Sequence, residues 1–237
     1  MKLQFLSDLH IDHHPVPVTI IPHAPYLALI GDIAEVGSGL LPNFLGSLRG
    51  KFQRVFYVPG NHEYYRNELE PTHKVLEDIC EKAGVELLQK KTVEVEGVLV
   101  SGCTLWSHPT EEGFHKRNAD WILNFGRERM IEEHLDHLAF LKRAITGEKP
   151  HVVLTHYAPL MEMNGEWLGD VNNSMFATDL SDMFRPPVRY WCCGHVHQNL
   201  TVVQNGIPCR TNCLGDPEEI EVGGSFCGDA CVEIVCS

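Results

Sequence analysis

The stretch Val55-Phe56-Tyr57-Val58-Pro59-Gly60-Asn61-His62-Glu63 decides the fold. Its first four residues are β-branched or aromatic and make an apolar run of strand length. Without polar alternation, such a run reads as a strand covered on both faces. It stops at Pro59-Gly60, and side chains bearing oxygen or imidazole nitrogen follow at once. Leu3 to Leu6 leads in the same way into Asp8-Leu9-His10, and Tyr26 to Ile30 into Gly31-Asp32. Val152 to Leu154 leads into His156, and Val188 to Cys193 into Gly194-His195-Val196-His197.

Between these runs lie helical patterns. Leu69 to Ala83 spaces Val75, Leu76, Ile79 and Ala83 on one helix face, with Gly84 as the stop. Arg129 to Ile145 does so with Leu135, Leu138, Ala139, Leu141 and Ile145, ending before Gly147. Val93 to Val95 and Val98 to Cys103 flank Glu96-Gly97, a hairpin signal. Val202-Val203, Ile207 to Cys209 and Val232 to Val235 read as short antiparallel strands. The sum is an α/β sheet assembly. Without linker or repeat, it is expected to form one domain over residues 1–237.

The 237 residues are 43% hydrophobic and 22% charged, which excludes collagen, coiled coil and wholesale disorder. Lys and Arg number 19 against 32 Asp and Glu, a net charge of −13 that repels long nucleic acid and anionic membranes. No apolar run is long enough to span a bilayer, and the first residues lack a signal-peptide core. The nine cysteines are an odd number at irregular spacings, pointing to reduced thiols and a cytoplasmic location rather than a disulfide framework. Fourteen histidines are the unusual feature.

In open α/β sheets the ligand site lies beyond the carboxyl ends of the strands. Five strand ends therefore deliver Asp8, His10, Asp32, Asn61, His62, His156, His195 and His197 to one edge. Oxygen and imidazole donors without thiolate suit Mn, Fe, Zn, Ni or Co. Residues two apart in an extended segment point the same way, so Asp8 with His10, and His195 with His197, can each serve one pocket. Gly31, Gly60 and Gly194 are expected to let the chain turn sharply there. Asp32, standing alone, is the candidate to bridge two ions, and a two-metal centre can clamp both oxygens of an in-line displacement at phosphorus.

With every element in place, the sequence resembles the calcineurin-like metallophosphoesterase family: DxH, GD, GNH[ED], a strand-ending His, then GHxH. The resemblance covers essentially the whole chain. Asn61-His62-Glu63-Tyr64-Tyr65, Thr104-Leu105-Trp106, Thr155-His156-Tyr157-Ala158-Pro159 and Phe176-Ala177-Thr178-Asp179-Leu180 are similar to a subgroup of small stand-alone bacterial-type members. It implies an α-β-β-α sandwich of two mixed β-sheets flanked by helices. It also implies two divalent metals, one held by Asp8, His10, Asp32 and His197, the other by Asp32, Asn61, His156 and His195. A metal-bridging hydroxide would attack a small phosphodiester or phosphomonoester, with Asp32 and His62 catalytic and His62 assisting the leaving group.

Glu63 either orients an imidazole or is a solvated or helix-start carboxylate. Candidate substrate contacts are Asn61, His62, Tyr64, His108 and Arg117. Tyr64 and Tyr65 either flank a leaving group or pack at a helix start. His108, Lys116 and Arg117 lie in a polar-aromatic segment, about 104–128, which is either a substrate-shaping cap or a solvated helix. Ser107-His108-Pro109 departs from the acidic-aromatic pair that follows Leu-Trp in the subgroup. His13 and His14 either line the mouth of the site or are solvated, and the loop with Asn164, Trp167, Asn172 and Asn173 can fold over it. The nine histidines outside the strand ends are expected mostly at the surface. The alternatives to a hydrolase are a non-catalytic metal-binding or protein-interaction module on the same fold, and a nuclease. Neither the oligomeric state nor the metal's identity follows from the sequence.

Overall fold

The computed structural model describes residues 1–114, 121–218 and 225–235. The strands are β1 (Lys2–Leu6), β2 (Tyr26–Ile30), β3 (Arg54–Val58), β4 (Glu86–Leu87), β5 (Lys91–Val95), β6 (Val98–Cys103), β7 (His151–Thr155), β8 (Val188–Cys193), β9 (Thr201–Gln204), β10 (Ile207–Thr211) and β11 (Cys231–Glu233). The α-helices are α1 (Leu41–Gly46), α2 (Leu69–Ala83) and α3 (Arg127–Ala144). One five-stranded sheet runs β11-β1-β2-β3-β4 and one six-stranded sheet runs β5-β6-β7-β8-β10-β9. Their interior pairings are parallel, and β11, β5 and β9 pair antiparallel at three of the edges.

The layers follow from the period of two along each strand. In β2, Tyr26, Ala28 and Ile30 meet Val100, Val152 and Leu154 of the other sheet, while Leu27 and Leu29 face Leu41, Leu45 and Leu76 of α1 and α2. Trp191, Val153 and Cys193 pack outward against Met130 and Leu141 of α3 and the long loops after β7. Helix, sheet, sheet and helix are thus stacked, and the strands must be apolar on both faces. Glu96 and Gly97, at φ 50 and 77, turn the β5–β6 hairpin. Gly84, at φ 73, ends α2, and the Val85 N–H reaches back to the Cys80 carbonyl.

The helix faces differ from the apolar spacing. In α2 the buried residues are Thr72, Leu76, Cys80 and Ala83, and Val75 is exposed. In α3 they are Met130, His134, His137 and Leu141, while Leu135 faces solvent. The reason lies in the backbone that α3 covers. Leu105 and Trp106 adopt φ of 73 and 51, and their polar groups point outward from the sheet. His137 Nδ1 accepts the Leu105 N–H at 2.9 Å, and His134 Nδ1 lies 3.1 Å from the Leu105 carbonyl. Imidazoles satisfy what leucines would have left unpaired. With His151 also buried beside Ser101, three of the nine histidines outside the strand ends belong to the interior.

Burial pushes His137 down from 6.5 to about 3. The unfolded chain therefore binds a proton that the folded chain refuses between those values, and stability falls as pH drops through that window. In His137→Gln, the fall in unfolding free energy on acidification, measured by urea titration between pH 6 and 4, is expected to be shallower by up to about 1.4 kcal/mol per pH unit. An unchanged slope contradicts a neutral buried His137.

Candidate metal centre

Five strand ends and the loops after them converge where the two sheets meet. Hydrogen bonds between loops stitch them together: Asp8 N–H to Gly31 carbonyl at 2.9 Å, His10 N–H to Asp32 carbonyl at 3.1 Å, and Gly194 N–H to His156 carbonyl at 2.9 Å. Asp8, His10, Asp32, His195 and His197 all have positive φ, between 39 and 69. For non-glycine residues each such conformation costs on the order of 1–3 kcal/mol and persists only where surroundings enforce it. The extended alternation expected for Asp8-His10 and His195-His197 is therefore not how these pairs work. The left-handed turns splay His195 and His197 into different groups.

The glycines also act differently from expectation. Only Gly31 among the three has a positive φ, of 80. Gly60 and Gly194 are needed for room: a Cβ on Gly60 would strike Asp32 Oδ1, and one on Gly194 would lie 2.6 Å from Asp8 Oδ2.

Among the described residues four groups of side chains present ligand atoms within 4.8 Å of one another: Asp8, His10, Asp32 and His197; Asp32, His156 and His195; His10, His13 and Asp216; and Asp12, His13 and Glu35. Asp32 belongs to the first two. His10 Nε2 and His197 Nε2 are 3.1 Å apart, and His197 Nε2 is 3.4 Å from Asp8 Oδ1. Imidazoles sharing one ion at about 2.0–2.1 Å each would stand roughly 3 Å apart. His156 Nε2 is 3.3 Å from Asp32 Oδ2 and 3.1 Å from Asn61 Oδ1. Its Nδ1 meets the Ile30 carbonyl at 2.9 Å, which places the proton there and leaves Nε2 a lone pair toward the group. Asn61 Nδ2 donates to the Tyr65 hydroxyl at 2.7 Å, so Oδ1 faces the same way. His195 Nε2 is buried without a hydrogen-bond partner. Converging lone pairs and an orphaned buried nitrogen fit divalent cations.

The charges agree. Burial alone would raise Asp32, but His156 and His62 hold it well below the usual carboxylate range. Burial would likewise raise Asp8, and His197 and His156 overcome it. Burial opposes a charge on His156, yet Asp32 lifts it to about 9, so a cation binding there would have to displace the Nε2 proton to use that lone pair. Burial pushes His10 to about 4 and His195 to about 3, so both are neutral donors at pH 7.

Glu63 is a helix-start carboxylate, in the first turn of the 3-10 helix His62–Tyr64, but it is fully buried rather than solvated. Its carboxylate accepts the N–H groups of Asp32 (3.0 Å), Ile33 (2.7 Å) and Gly60 (2.6 Å) and the Tyr57 hydroxyl (2.7 Å). It clamps the loops after β2 and β3 to each other. Burial, then the charge of Asp32, raises Glu63 to about 7.

A cavity of about 580 Å³ opens beside the cluster, lined by Asp32, Asn61, His62, His195 and His197 among others. Tyr64 does not reach it. That ring is fully buried between His73 and Trp106, packing at a helix start. Its neighbour Tyr65 lines the cavity instead, tilted on His62 at 4.1 Å with Trp121 stacked behind at 5.3 Å. His108 is exposed, meets His134 edge-on and does not line the cavity. Arg117, with His115 and Lys116, lies outside the described residues. His13 is not among the cavity-lining residues; it stacks on His10 at 5.3 Å with Nδ1 2.5 Å from Asp216 Oδ1, itself a lining residue. Asn164, Trp167, Asn172 and Asn173 form one wall. The sequence reading passed over Asp216, Phe176 and Gln198, which also line the cavity. Gly215-Asp216 after β10 repeats the Gly31-Asp32 signal and was available, whereas Gln198 carries none.

A family model described as "Calcineurin-like phosphoesterase" matches residues 1–199. An uncharacterized protein, L509, of Acanthamoeba polyphaga mimivirus is 30% identical over 224 residues, covering 82% of this chain and 79% of the viral protein. The [acyl-carrier-protein] phosphodiesterase PptH of Mycobacterium tuberculosis is 33% identical over 92 residues, 34% of this chain and 28% of PptH. The crystal structure of that phosphopantetheinyl hydrolase superposes with a TM-score of 0.73 at 21% identity, covering 95% of this chain and 93% of that one, which establishes a shared fold.

Removing the carboxylate in Glu63→Ala strands three buried N–H groups and a phenol. At about 1–3 kcal/mol for each unsatisfied group, the loss of stability in urea unfolding is expected to exceed about 3 kcal/mol. A loss below about 1 kcal/mol contradicts the clamp.

Proposed function

The chain belongs to the calcineurin-like phosphoesterase family, and from that premise we propose that it is a dinuclear metal-dependent hydrolase of small phosphoesters. The observation that carries this reading is Asp32, common to two groups of convergent metal-ligand atoms at the base of a cavity. In it, Asp8, His10, Asp32 and His197 hold one divalent ion, and Asp32, Asn61, His156 and His195 the other. When bound, such a pair supplies a Lewis-acid clamp on phosphoryl oxygens and water acidic enough to attack phosphorus at neutral pH.

The chain's own residues do the rest. Asp32 would contribute a carboxylate to both ion positions. Its Oδ1 accepts the His62 N–H at 2.9 Å, and its Oδ2 lies 3.8 Å from His62 Nε2. Tyr65 supports the His62 ring from behind, so the imidazole is held at the cavity wall where it can protonate a leaving oxygen. A phosphodiester is favoured over a monoester by the cavity, which extends well beyond what one phosphoryl group fills, and by the named activity of PptH. The metals are two of Mn, Fe, Zn, Ni or Co. The net charge of −13 opposes long nucleic acid, as does a cavity with no Lys or Arg among its described lining residues.

Residues 1–237 are read as one domain, supported by β11 pairing with β1, and Trp121 behind Tyr65 supports a cap role for the 104–128 segment. Among the described residues no helix is long and apolar enough to cross a membrane. The free thiols, with Cys193 and Cys209 Sγ at 3.9 Å and unbonded, support a reducing, cytoplasmic setting.

Two substitutions separate holding metal from using it. Asp32→Ala is expected to drop metal content from about two ions per chain to less than one, read by elemental analysis. His62→Ala is expected to keep both ions while turnover of bis(p-nitrophenyl) phosphate falls about 10²- to 10⁴-fold. Full occupancy in the first variant, or metal loss in the second, overturns these roles.

A further inference from the structure

Half of the cavity wall is not used by the metal cluster. It comprises residues from Asn164 to Phe176 together with Val196 and Gln198. This wall is firmly built. Gln198 donates to the Asn164 carbonyl at 3.0 Å and accepts the Glu166 N–H at 3.1 Å. Asn173 accepts the Gly169 N–H at 2.7 Å and donates to the Trp167 carbonyl at 2.9 Å. Gly165, at φ 54, leaves room for the Gln198 amide where a Cβ would stand. The loop carrying Trp167 is thereby pinned on both sides.

Trp167 is nonetheless 58% exposed and lines the cavity, with Phe176 on the same wall. An indole held rigidly at a cavity rim offers a large apolar surface at little entropic cost. The polar side is specific too. Asn172 lines the cavity with its Oδ1 closed off from solvent, so the Nδ2 end of the amide is the accessible one. That end can donate to an acceptor on a ligand. The charged group of this half is the Asp170 carboxylate; Asp216, which also lines the cavity, is paired with His13. A second anion on the substrate would meet Asp170 there.

We propose that this wall is a subsite for the organic arm of the substrate. The arm is uncharged, with carbon chain for Trp167 and Phe176 and an amide carbonyl or hydroxyl oxygen for Asn172 Nδ2. The phosphoryl group under attack is then the substrate's single anionic centre, and arms bearing further phosphates or carboxylates are rejected. This rests on the hydrolase reading and narrows its substrate class.

The test uses the metal-loaded enzyme and four p-nitrophenyl phosphodiesters that differ only in their second substituent. These are methyl, pentyl, an acetamidoalkyl chain of pentyl length, and a carboxyalkyl chain of that length. The expected order of kcat/KM is acetamidoalkyl, then pentyl, then carboxyalkyl. The first exceeds the last by about tenfold or more, the worth of one good hydrogen bond. Asn172→Leu is expected to bring the acetamidoalkyl-to-pentyl ratio close to one. Trp167→Ala is expected to lower both uncharged long arms relative to methyl. Equal rates for all four esters, or a preference for the carboxylate, overturns the arm subsite while leaving the hydrolase reading intact. If neither the methyl ester nor p-nitrophenyl phosphate turns over, the hydrolase reading fails, and the subsite falls with it.

Discussion

Two carboxylates, Asp8 and Asp32, are buried where the sheets meet, and the loops around them are shaped by the cost of keeping those charges out of water. Each is satisfied first by backbone: Asp8 by the His195 N–H at 3.0 Å, Asp32 by the His62 N–H at 2.9 Å. Each then gathers imidazoles. The positive φ values at both aspartates and at His10, His195 and His197 are what this gathering demands of the chain. Strain of that kind survives only because the two sheets, anchored by apolar cores on both faces, hold five strand ends at fixed separation.

Glu63 adds a third buried carboxylate, which does not spend its oxygens on ligands or imidazoles. By accepting three backbone N–H groups it fixes the distance between the loop that carries Asp32 and the loop that carries Asn61 and His62. Two residues presented to the cluster are thus positioned by a neighbour that never faces it. Asn61 is set similarly, since donating to Tyr65 decides which end of its amide turns inward. In the local order Asn61-His62-Glu63-Tyr64-Tyr65, Asn61, His62 and Tyr65 face the cavity while Glu63 and Tyr64 belong to the frame.

That division explains what the sequence made legible. Strand ends were readable because apolar runs stop abruptly at polar residues, and Tyr26–Ile30, Leu69–Ala83 and Val188–Cys193 appear with the expected bounds. Side-chain direction was not readable, because it depends on turns whose φ has no marker in Asp8, His10 or His197. Tyr64 and Tyr65 are chemically identical neighbours, and only the 3-10 turn between His62 and Tyr64 decides which is buried and which lines the cavity. The face of α3 was misjudged for a related reason. Apolar spacing ranks Leu135 above His134, but the helix covers buried peptide groups of Leu105 and Trp106 that would otherwise be unpaired, and a histidine can bond them.

The charge of the whole chain and the charge of the site point in opposite directions. A surface at −13 repels polyanions at long range, whereas two divalent ions over Asp8 and Asp32 would set +4 against −2 within a few ångströms. Screening separates the two effects: beyond about 8–10 Å of salt solution the surface charge fades, while the partly enclosed cavity keeps its field. Asp170, with Asp216 paired to His13, extends the negative character right up to the cavity, so attraction is confined to the cluster itself. A phosphoester with one charge gains that attraction in full. One with several would have to place the rest against carboxylates, so on the proposed reading the acidity that opposes nucleic acid would also select among small substrates.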